Sequence, residues 1–252
     1  MDSRSPLRSL AFALSAALGG IASAVVVTIA AGFLAGLLGL DLDVLTAVVL
    51  TFVLTAGVAF GGVSAAYLAV RDLGWSFVGL RVPTGRDLAV VAIGYVLAFG
   101  LVLAASLTVA SAGGEAAPNQ LSEVGLENPA VLLLLVPASL LLIGPGEELL
   151  FRGVVQGTLR EGFGPATAVV LASAIFAGVH FLALSGGVDA RLTTIAILFF
   201  PSLVFGAAYE RTGNLVVPAL IHGLYNSTLA VLLYVSLRFA AGAPAGSLLG
   251  AI

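Results

Sequence analysis

Long apolar runs separated by short polar breaks dominate the chain. Seven runs, at about 10–40, 44–70, 88–111, 130–160, 165–184, 192–210 and 214–240, are long enough to cross a bilayer, since a membrane helix needs roughly 20 apolar residues. Strand-period alternation is absent, and the runs are too long for barrel strands. The polar breaks are a tight acidic turn, Leu40-Asp41-Leu42-Asp43, and two stretches read as loops, 71–87 and 112–129. Pro137 and then Gly144-Pro145-Gly146 predict that the fourth helix kinks or restarts. The Gly/Ala-rich last twelve residues are expected either to fray or to form a short extra helix. The pattern predicts an all-α, polytopic helical membrane protein of about seven to eight helices, forming one integral membrane domain over residues 1–252.

Composition agrees. The chain is 60% hydrophobic and 9% charged, against about 25% charged in a soluble domain. It has no cysteine, which excludes disulfides, iron–sulfur clusters and thiolate chemistry. A net charge of −3 and the lack of a basic cluster give no reason to expect a nucleic-acid partner. All ten basic residues are arginine, and the lysine-free, Ala/Val/Gly-rich composition reads as prokaryotic. If the N-terminus is cytoplasmic, Arg4, Arg8, Arg71, Arg81, Arg86, Arg160 and Arg211 fall inside, and only Arg191 and Arg238 fall outside. That asymmetry favours a multi-pass protein of the cell membrane with an inside N-terminus. The first run is too long for a signal peptide and reads as a retained helix.

Charges at membrane depth change the picture. Glu147 lies 13 residues before Arg160, about 20 Å from that end of its helix. The two histidines of the chain, His180 and His222, lie about 22 Å and 12 Å into theirs. Two glutamates and two histidines from three helices thus reach one layer, where ionisable groups are costly and usually face a protein interior or a wet cavity. Glu148 and Arg152 are four apart and share a face, as do Phe176 and His180, and His222 and Asn226. A structural ion pair suffices to explain Glu148 with Arg152. Glu147 points about 100° away and has no local partner, which makes it the candidate general base. Phe176 is read as a packing residue that at most positions His180. His222 with Asn226 could simply tie helices together. Gly153, Gly157, Gly206, Ala207 and Ala208 read as close-packing positions, and Glu210-Arg211 as a solvated helix end.

These residues carry a resemblance. Glu147-Glu148-Leu149-Leu150-Phe151-Arg152 resembles the EExxxR motif of the CAAX prenyl endopeptidase and bacteriocin-processing (CPBP) family of intramembrane proteases. Phe176-Ala177-Gly178-Val179-His180 is similar to its FxxxH motif, and His222-Gly223-Leu224-Tyr225-Asn226 to its HxxxN motif. The motif region spans 145–226, and the first three runs carry no signature. The resemblance implies an intramembrane endopeptidase with its site in a cavity between helices. In it Glu147 activates the hydrolytic water with His180, Glu148 and Arg152 support the site, and His222 and Asn226 stabilise the oxyanion. The substrate implied is a membrane-associated peptide or protein, of which prenylated CAAX tails are one type.

Glu147, His180 and His222 could supply three zinc ligands if they converge on one point. The helical HExxH signature is absent, and a metal-independent, glutamate-activated water is the favoured reading. Two other classes compete. A non-catalytic immunity or scaffold protein would not need the full set of Glu147, Glu148, His180, His222 and Asn226. A proton-coupled transporter could use such groups as a relay, but would more often show interrupted helices in both halves.

Overall fold

The computed structural model describes residues 5–239, and all regular structure there is helical, apart from one isolated antiparallel bridge between Asn119 and Leu184. The helices are α1 (Pro6–Leu37), α2 (Val44–Val70), α3 (Gly85–Ser111), the short α4 (Gln120–Glu127), α5 (Pro129–Leu159), α6 (Pro165–Ala183), α7 (Val188–Thr212) and α8 (Val216–Phe239). Among the described residues, the seven other than α4 are long and apolar enough to cross a membrane. They coincide with the seven apolar runs to within a few residues. The protein is therefore an all-α, multi-pass membrane protein. The last twelve residues, where an extra helix is one of the two expectations, lie outside the described residues.

Local chemistry sets the helix ends. Asp43 caps α2, accepting from the Thr46 amide at 3.1 Å and the Thr46 hydroxyl at 2.6 Å. Those bonds hold its carboxyl below the ordinary aspartate range. Thr84 and Asp87 form a reciprocal capping box at the start of α3. Gly213, at φ 57°, ends α7 in the left-handed conformation that favours glycine. Val26, Ile29 and Phe33 on α1 and Ile93 and Val96 on α3 are well exposed. In a bilayer these side chains meet lipid, where an apolar surface carries no penalty.

Three details differ from the expectation. The stretch 112–129 is not wholly a loop, because Asn119 caps α4 within it by accepting from the Leu121 amide. The stretch 71–87 contains a 3₁₀ turn, Trp75–Phe77, and its last three residues already belong to α3. Gly144-Pro145-Gly146 does not start a new helix. Helix α5 runs through it, with π-helical turns at Ser139–Ile143 and Leu149–Gln156 on either side of the α-helical Gly144–Glu148. The wider turns absorb the missing proline amide without a break. The glutamates are therefore mid-helix, and no first-turn dipole acts on them.

The glycines of this stretch let the bundle close around it. A Cβ on Gly144 would stand 2.7 Å from the Ala219 carbonyl oxygen of α8, and one on Gly146 would stand 2.6 Å from the Ala56 carbonyl oxygen of α2. Only a residue without a Cβ permits such backbone approach. Two apolar clusters flank α5. One joins α1, α2, α5 and α6 through residues such as Ala13, Phe60, Phe151 and Phe176. The other joins α3, α7 and α8 through Val91, Ala98, Phe205, Ile221 and Tyr225. The polar residues of α5 occupy the seam between them.

Helix ends are staggered at the seam. Glu147 is 12 residues from the end of α5, about 18 Å, whereas His222 is six residues from the start of α8, about 9 Å. The two meet because α8 starts deeper in the bundle than α5 ends. The 71–84 segment fills the space below. Val78 is fully buried, its carbonyl accepts from the Tyr209 hydroxyl at 3.0 Å, and the Gly79 carbonyl accepts from the Leu215 amide at 3.2 Å.

Candidate active site

Helix α5 places Glu147, Glu148 and Arg152, the end of α6 places His180, and α8 places His222. These come together as two differently built halves. In the first, Arg152 Nε donates to Glu148 Oε2 at 2.9 Å, and Arg152 Nη2 donates to Ser202 Oγ of α7 at 2.8 Å. His222 Nδ1 lies 2.9 Å from Glu148 Oε1, so an Nδ1–H donates to that carboxylate. The Glu148 and Arg152 side chains are completely buried and His222 is 4% exposed. Phe176 lies against the Arg152 guanidinium, 5.2 Å from ring centre to Cζ, and Phe205 stacks on His222 with centroids 4.9 Å apart. Each charge here has a charged or hydrogen-bonding partner, which a buried charge requires.

The second half is loose. Glu147 Oε2 is buried and has no hydrogen-bond partner among the described residues. His180 Nε2 and His222 Nε2 face it from 4.0 Å and 3.9 Å. That is too long for a direct hydrogen bond and matches the span of one bridging water. His180 Nδ1 lies 2.7 Å from the Phe176 carbonyl oxygen. A carbonyl can only accept, so Nδ1 carries a proton, and Nε2 is turned to Glu147. Phe176 thus orients His180 through its backbone while its ring packs against Arg152. The Glu147 and His180 side chains keep 19% and 21% exposure, which marks the route in.

Two recesses formed by the described residues are lined by Leu45–Leu134 and by Arg81–Thr212 side chains, and neither includes a member of the cluster. Asn226 lies one turn beyond His222 on α8, half-buried, and makes no side-chain hydrogen bond among the described residues. Glu210 is not simply a solvated end. It accepts from Arg160 at 2.9 Å and ties α7 to the end of α5.

Three contributors went unmarked in the motif reading. Ser202 and Phe205 sit in an apolar stretch of α7, and their signal is faint: a hydroxyl and a ring three apart, one turn before the small residues Gly206-Ala207-Ala208. Gln156 was detectable, four residues beyond Arg152. It is fully buried and donates to the Gly206 carbonyl at 3.1 Å.

Zinc does not fit this arrangement. Donors in a tetrahedral zinc shell stand roughly 3.3 Å apart at bond lengths near 2 Å, whereas Glu147 Oε2 is 3.9 and 4.0 Å from the two Nε2 atoms. Among the described residues no three His, Asp or Glu side chains gather closely enough to hold a metal ion.

A seven-span helical protein with a buried carboxylate–imidazole cluster between its helices is the class that fold and geometry define. Sequence comparison finds that residues 129–228 match the family model described as type II CAAX prenyl endopeptidase Rce1-like. The match includes every residue of the cluster and leaves α1–α3 outside. No curated protein and no solved structure matches the chain. That match points, at the level of the family, to a membrane peptidase of CAAX type.

Proposed function

We propose that the protein is an intramembrane endopeptidase that hydrolyses a peptide bond of a membrane-associated substrate, with Glu147 and His180 activating the water. The observation that carries the reading is the buried Glu147 Oε2, without a hydrogen-bond partner and faced by two imidazole Nε2 atoms at 3.9 and 4.0 Å. A water bridging Glu147 and His180 gives up a proton to the carboxylate as its oxygen attacks the scissile carbonyl carbon. The new C–O bond converts the carbonyl oxygen to an oxyanion, to which His222 Nε2–H and the Asn226 amide would donate hydrogen bonds. Collapse breaks the C–N bond, and the proton held by Glu147 passes to the departing amine.

The family match over residues 129–228 supports a prenylated, CAAX-type tail as one substrate class. The arginine distribution supports a cytoplasmic N-terminus. The test is cleavage of a membrane-anchored peptide by purified protein in proteoliposomes, read by product mass. Wild type yields two fragments, and His180→Ala lowers turnover by roughly 10²- to 10⁴-fold. Equal turnover in His180→Ala would overturn the reading.

A further inference from the structure

Away from the cluster, where the start of α3 meets the end of α7, three arginines surround a recess of about 600 Å³. Arg81, Arg86 and Arg211 line it, with Asp87 as its one carboxylate. That carboxylate is committed. Asp87 Oδ2 accepts from the Thr84 amide at 2.9 Å, the Thr84 hydroxyl at 3.0 Å, Arg81 at 3.2 Å and Asn214 at 3.4 Å. Arg81 is held in place as well, donating to the Thr212 carbonyl at 2.7 Å. Arg86 and Arg211 are exposed and make no ion pair, hydrogen bond or ring contact among the described residues.

This contrasts with the other described arginines. Arg71, Arg152 and Arg160 each pair with a glutamate. Arg8, Arg191 and Arg238 each lie over an aromatic ring. Beyond Thr84 and Thr212, the rest of the wall is apolar: Ala89, Val90 and Ile93 of α3, with Ile93 63% exposed on the lipid-facing side. Excess positive charge therefore sits at a helix-end boundary, directly beside a surface that runs along the membrane span.

We propose that this recess binds the phosphate headgroup of an anionic phospholipid, with Arg86 and Arg211 on the phosphate and an acyl chain along Val90 and Ile93. Guanidiniums pair well with phosphate oxygens, and basic recesses between membrane helices hold anionic headgroups. The apolar wall selects a lipid over a free phosphate, which would leave it uncovered. Arg81, fixed by Asp87 and Thr212, shapes the recess and is not needed as a free ligand.

The experiment is native mass spectrometry of the intact protein released from phosphatidylcholine bilayers containing a minority of phosphatidylglycerol. Wild type retains phosphatidylglycerol in preference to phosphatidylcholine. The Arg86→Gln/Arg211→Gln double variant loses that preference by roughly thirtyfold, equivalent to about 1 kcal/mol per arginine. Arg191→Gln, remote from the recess, retains it. Equal retention of the two lipids by wild type, wild-type preference in the double variant, or the same loss in Arg191→Gln would each overturn the proposal. Complete displacement of the lipid by inorganic phosphate would show an anion site without lipid selection and would overturn it too.

Discussion

Glu147 and Glu148 are neighbours in one helix, yet they stand in opposite surroundings. On the Glu148 side both carboxylate oxygens are engaged: a guanidinium and an imidazole bond to them, a serine hydroxyl holds the guanidinium, and aromatic rings pack against the arginine and the imidazole, leaving only Arg152 Nη1 without a hydrogen-bond partner among the described residues. On the Glu147 side the nearest polar atoms stand about one water apart, and the side chains remain partly open. The contrast teaches how a membrane protein can keep a carboxylate without a direct partner in an apolar interior. The tight half uses up the charges that must be matched, and in doing so fixes His222, whose other nitrogen serves the loose half.

Substitutions can break or sharpen that contrast. Arg152→Gln should have the largest effect on folding, because it leaves Glu148 buried without its cation. About 3–5 kcal/mol of stability should be lost, read by denaturant unfolding in detergent; a change below about 1 kcal/mol would make the two sides equivalent. Ser202→Ala removes one bond to a charged group and should cost about 1.5–3 kcal/mol in the same assay. Phe205→Leu keeps an apolar side chain and loses the stack on His222, with an expected loss of roughly 0.5–1.5 kcal/mol beyond the change in buried area. A chelator should change nothing: turnover before and after treatment is expected to be equal. Loss of turnover restored by added zinc would mean that the loose half closes around a metal.

Much of this was legible in the sequence, for physical reasons. Spans were readable because a bilayer imposes a minimum apolar length, and α2, α6 and α8 fall almost where the runs do. The Glu148–Arg152 pair was readable because four-residue spacing puts side chains on one face. The passage of α5 through Gly144-Pro145-Gly146 was not, because a proline alone does not say whether a π turn will absorb it. Nor was the attachment of His222 to Glu148, since the stagger of α8 against α5 depends on the packing of the 71–84 segment beneath it. Ser202 and Phe205 stayed hidden because a lone hydroxyl or ring in an apolar helix has many ordinary uses.

The division of labour is tested most directly by Glu147→Gln and Glu148→Gln, each measured for turnover on a membrane-anchored peptide and for unfolding. Glu147→Gln is predicted to lose roughly 10²- to 10⁴-fold in turnover while unfolding like wild type. Glu148→Gln is predicted to lose both turnover and stability. Near-wild-type turnover in Glu147→Gln, or a stability loss there as large as in Glu148→Gln, would contradict the account.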